Sequence, residues 1–110
     1  MGIDYGWEKF FNTLHYAVGS TESLQHRLAN VISGVCHLQR DDFPNDEAHE
    51  EFKTMLKATT MVPAKGDEGT IQATTSVMKD EEAAMWLRKA FDIFSGIAEA
   101  YGAHSGVGQL

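Results

Sequence analysis

Asp80-Glu81-Glu82-Ala83-Ala84-Met85-Trp86-Leu87-Arg88-Lys89-Ala90-Phe91-Asp92-Ile93-Phe94-Ser95-Gly96-Ile97-Ala98-Glu99-Ala100-Tyr101-Gly102 decides the fold. It holds no proline, and its apolar residues recur at spacings of three and four, the period of a helix. Asp80 is placed to cap a helix over Glu81 to Tyr101, and Gly102 to close it. Ala83, Leu87, Ala90, Phe91, Phe94, Ala98 and Tyr101 form one stripe, taken as the core face. Trp86, Ile93, Ile97 and Ala100 form a second stripe beside it. Together they cover roughly 200° of the helix, wider than a surface helix requires. Two placements suit such a helix: the centre of a bundle, or a dimer interface anchored by Trp86, Ile93 and Ile97.

The same period recurs upstream. Ile3, Trp7, Phe10, Phe11, Leu14 and Val18 make a first helical stripe, with Gly19 as its stop and Ser20 or Thr21 as the next cap. Leu24, Leu28, Val31, Ile32, Val35 and Leu38 make a second. Arg40 to Asp46 reads as a connection, with Asp42 as cap and Pro44 in the first turn of a third helix carrying Ala48, Phe52, Met55, Leu56 and Thr59. Val62 to Gly69 is a loop, holding one proline and two glycines. A short fourth helix follows over Thr70 to Met78. The sum is an all-α bundle of four to five helices in one domain, residues 1–102, with a mobile tail at 103–110.

Composition limits the function classes. Sixteen acids against nine Lys and Arg give a net charge of −7 on 110 residues. Direct binding to nucleic acid or to an anionic membrane needs a basic footprint, so neither is expected. No apolar run reaches the roughly 18 residues of a membrane span. One cysteine, Cys36, precludes an internal disulfide and fits a reducing, cytoplasmic setting. The charge is uneven: residues 1–40 hold three acids and three bases, and residues 41–110 hold thirteen and six. Asp41, Asp42, Glu47, Glu51, Asp67, Glu68, Glu81 and Glu82 therefore make a candidate acidic face.

Motifs for chemistry are weak. His15, His26 and His37 recur every eleven residues, but His26 and His37 on one helix stand about 16 Å apart, too far to share an ion. Glu22 with His26, and Asp46 with His49, have helical spacing and are read first as surface pairs. Asp41-Asp42-Phe43 breaks the calcium-loop pattern, and Gly66-Asp67-Glu68-Gly69 would repel a phosphate. No cofactor is called for and no catalytic group stands out. Tyr5 and Tyr16 lie off the core stripe of the first helix, with Lys9 between them, as a candidate contact surface. The second helix turns His26, Ala29, Asn30, Ser33, Gly34 and His37 outward, read as a weakly polar surface or as a second packing face. These features lead to a small non-enzymatic interaction module that pairs with itself and with an unidentified protein. The alternatives are an acidic nucleic-acid mimic that binds a basic protein surface, and a bundle that holds a metal or small ligand.

Overall fold

The structure, a computed structural model, describes residues 1–105. Five α-helices follow one another: α1 (Ile3–Gly19), α2 (Leu24–Val35), α3 (Asp46–Thr59), α4 (Gly69–Thr75) and α5 (Asp80–Ser105). A single 3₁₀ turn, Arg40–Asp42, stands between α2 and α3. No strand occurs among the described residues. The fold is the all-α bundle that the helical periodicity predicts.

Each boundary has a local cause. Gly19 is the last residue of α1, as expected. The cap of α2 is Ser23, whose hydroxyl accepts from the backbone of His26 at 3.1 Å, rather than Ser20 or Thr21. Asp42 does not cap α3; Asn45 does, accepting from the backbone of Ala48 at 2.8 Å, and Pro44 stays outside the helix. Helix α4 is shorter than expected and ends at Thr75. Two of its threonines, Thr74 and Thr75, are buried and locally satisfied. Thr74 donates to the carbonyl of Thr70 and accepts from the backbone of Val62, and Thr75 donates to the carbonyl of Ile71. Such back-bonding lets a middling helix former sit in a helix without orphaned oxygens. Helix α5 does not stop at Gly102 but continues to Ser105. One glycine inside a helix costs only about 1 kcal/mol, too little to end it alone. Residues 103–105 of the expected tail are thus helical, and 106–110 lie outside the described residues.

Helix α5 is about 39 Å long at 1.5 Å per residue and packs against α1, α2 and α3. Ala83, Ala90 and Ile97, seven residues apart, are its fully buried line. Around them close Phe10 of α1, Leu28, Val31, Ile32 and Val35 of α2, and Phe52 and Met55 of α3. Phe10 meets Phe52 and Phe43 edge to face at 6.2 and 6.4 Å, and Phe43 lies 4.6 Å from Phe52, so three rings knit α1 to α3. Glycine permits two close approaches. A side chain at Gly6 would run into the backbone of Asp42, and one at Gly34 into Thr13, so α1 lies against both the 3₁₀ turn and α2.

Candidate functional site

Helix α5 is rotated from the orientation its stripes imply. Phe91, assigned to the core stripe, is 56% exposed, whereas Ile93 and Ile97 are buried at 3% and 0%. Ile93 and Ile97 are therefore core residues and unavailable as interface anchors. The buried line runs between the two stripes. Leu87 and Phe94 flank it toward α1, and Trp86 and Ile93 flank it on the other side. Trp86 is half-buried, with its indole N–H sealed from solvent and without an acceptor. The rotation is testable by two glutamates. Ile93→Glu is expected to cost more than about 4 kcal/mol and to leave no folded chain at 37 °C. Phe91→Glu is expected to change stability by under about 1 kcal/mol, since its ring already meets water. Thermal unfolding followed by circular dichroism separates the two, and the reverse ranking would restore the original stripe.

The rotation leaves a concave apolar surface between α1 and α5. Between α1 and α5 runs a groove of about 760 Å³, lined by Phe11, Leu14, Ala17 and Val18 on one wall and Met85, Leu87, Phe91 and Phe94 on the other. Val18 is 85% exposed, Met85 41% and Phe11 40%. Its rings, Phe11, Phe91 and Phe94, continue a series that begins outside the groove at Tyr101 and Trp7. Tyr101 stacks on Trp7 at 5.2 Å, Trp7 on Phe11 at 4.9 Å, Phe11 tilts against Phe94 at 6.4 Å, and Phe94 against Phe91 at 6.2 Å. Phe11 and Phe94 are each held between neighbouring rings, and Phe91 rests on Phe94 alone. His15 stacks on Phe11 at 5.7 Å. Arg27, Arg88 and Lys89 stand at the rim with one acid, Asp92. The ammonium of Lys89 is held by Glu51 of α3 at 3.1 Å.

The two candidate tyrosines part company. Tyr5 turns to α2, its hydroxyl 2.9 Å from Nε2 of His37, with the Lys9 ammonium 5.2 Å above its ring. Tyr16 stays exposed. Neither lines the groove. The outer face of α2 is divided: Gly34 packs against Thr13, whereas His26, Ser33 and His37 are exposed, and His26, Ala29, Asn30 and Ser33 line a smaller groove with Glu68 to Gln72.

The acidic candidates divide among several places. Asp42 is 2% exposed and is spent inside the fold: its carboxylate accepts from the backbone N–H of Gly2 at 2.9 Å and of Gln39 at 2.8 Å. Burial pushes its carboxyl up, but these two N–H donors together with the Met1 ammonium 3.3 Å away outweigh it and hold the group below the usual carboxylate range. Asp41 and Asp67 are exposed, one at the 3₁₀ turn and the other in the loop before α4. Glu47 and Glu51 line a groove between α3 and the far half of α5 together with Glu99. Glu68 accepts from the backbone of Lys65 and is held below its ordinary value by that bond. Glu81 and Glu82 begin α5, about 20 Å along the helix from Gly96 at that groove. Helix ends and caps account for most of them, so they do not make one continuous face.

The metal candidates also stand apart. The Arg40 guanidinium, 2.7 Å from Asp46, holds that carboxyl below its usual range, while His49 packs against the rings of Phe43 and Phe52. His26 is on α2 beside α4. Among the described residues no group of three His, Cys, Asp or Glu side chains could hold a metal ion. Cys36 is exposed at the end of α2, not at the edge of the core. No described helix is long and apolar enough to cross a membrane. No family model matches the chain, and no curated protein or solved structure matches it.

The groove was not legible in the sequence because its members are split between two helices, and Phe11, Leu14, Val18, Leu87, Phe91 and Phe94 all fall on stripes that read as core. A signal existed in Phe91, the one large residue on the margin of the α5 stripe farthest from Trp86.

Proposed function

We propose that the chain is a non-catalytic protein-interaction module that receives a polypeptide in the α1–α5 groove. The exposed rings of Phe11 and Phe91, with Val18 and Met85 beside them, carry this reading. They leave apolar area in water, and proteins keep such patches for binding. The homodimer expected from the sequence rested on Trp86, Ile93 and Ile97; the two isoleucines belong to the core and Trp86 is half-buried. The interaction surface is reassigned accordingly to Phe11, Val18, Met85 and Phe91.

Photo-crosslinking tests the reading. A benzophenone amino acid placed at Phe91 in living cells of the native host should give a discrete polypeptide adduct. The same group placed at the exposed Lys53 of α3 should not. Val18→Asp should abolish the adduct while leaving the chain folded. Absence of any polypeptide adduct from positions 91 and 11 would overturn the proposal.

A further inference from the structure

We infer that the partner presents an acidic amphipathic helix to the groove, an assignment that rests on the interaction reading above. Two of the chain's three arginines, Arg27 and Arg88, stand on the rim of the groove, although the chain as a whole carries −7. Lys89 joins them but already faces Glu51 at 3.1 Å. Asp92 is the one acid among the lining residues. Against an acidic background this is a local basic rim around an apolar floor.

Shape points the same way. From Phe11 to Val18 the α1 wall advances seven residues, about 10.5 Å. That is the distance between side chains i and i+7 on a partner helix, so two turns of apolar anchors fit. Asp or Glu beside those anchors would face Arg27 and Arg88. Arg27 is oriented for this by its Nε–H, which donates to the carbonyl of Glu22 at 2.8 Å. A second copy of the chain fits less well. In a two-fold pair the same patch meets itself, so the basic rim would oppose the basic rim.

Two synthetic helical peptides test the assignment. They share an apolar face of Leu and Phe at i, i+3, i+4 and i+7; one has Glu on its flanks and the other Lys. Fluorescence anisotropy at low salt should show the Glu peptide binding about tenfold tighter than the Lys peptide, the effect of two exposed ion pairs. The double variant Arg27→Glu/Arg88→Glu should reverse that order, and Phe91→Glu should abolish binding of both. All variants are checked for unchanged thermal unfolding, because the altered residues lie outside the core. Equal or Lys-favoured binding, or no binding of either peptide, overturns the assignment. So does a groove-dependent dimer at micromolar concentration in sedimentation, since the occupant would then be a second copy. Those results leave the interaction reading standing wherever a position 91 or position 11 adduct forms, and only absence of adducts from both positions removes both.

Discussion

Phe10→Ala should lower the unfolding free energy by about 4 kcal/mol. Phe10 is fully buried, and its ring is shared edge to face with Phe43 and Phe52. Deleting it removes the transfer energy of the side chain and leaves a cavity at the junction of α1 and α3. Each aromatic pair adds about 0.5–1.5 kcal/mol beyond buried area. A domain of this kind is stable by only about 5–15 kcal/mol, so one substitution consumes a large share. Urea unfolding should show a lower midpoint at unchanged slope. Phe11→Ala, on the partly exposed groove wall, should cost under about 1.5 kcal/mol. If the two variants are equally stable, the ring cluster is not the centre of the fold.

Asp42→Ala should cost about 3 kcal/mol and alter the acid response. The carboxylate serves two backbone donors, those of Gly2 and Gln39, in a nearly sealed position. Alanine would leave both N–H groups without their acceptor, at about 1–3 kcal/mol each where water cannot reach. The pH dependence follows from the lowered folded value. A carboxylate whose folded pKa lies below its unfolded value near 3.8 contributes fully above that value. The contribution is lost as pH falls through the folded value. The native chain should therefore keep its Asp42-linked stability down to about pH 4 and lose it below. The Asp42→Ala chain should start less stable at neutral pH and decline less steeply in acid. Parallel denaturant titrations at pH 7, 4 and 3 measure the difference. A constant gap between the two proteins across that range would refute the carboxylate's role.

The helices and their inward faces on α1, α2 and α3 were legible because burial there follows a single apolar stripe. Phe10, Leu28, Ile32, Phe52 and Met55 all fall where the period places them. The azimuth of α5 was not legible. Two apolar stripes lie side by side on that helix, and only the positions of α1, α2 and α3 around it select the line through Ala83, Ala90 and Ile97. Phe91 became surface and Ile93 became core by the same rotation, so the site was missed together with the orientation. The caps slipped for a different reason. Ser20, Thr21 and Ser23 are all good cap formers, and local chemistry cannot rank them. In the sequence alone Asp42 reads as a cap of the third helix and as an acid on a face; its bond from Gln39 is local to the 3₁₀ turn, but the one from Gly2 exists only once α1 has docked there.

The docking of α1 on that turn also bears on the order of assembly. The bond from Gly2 to Asp42 closes a loop of forty residues, an entropic toll of about 3 kcal/mol that must be met before the contact returns anything. The helical hairpin that α1 forms with α2 is far more local. Helix pairs should therefore collect first, and the seam where Gly6 lies against the backbone of Asp42 should be fastened afterwards. In hydrogen exchange the amide of Gly2 would then open, as a latch, at a lower free energy than the amides of α2.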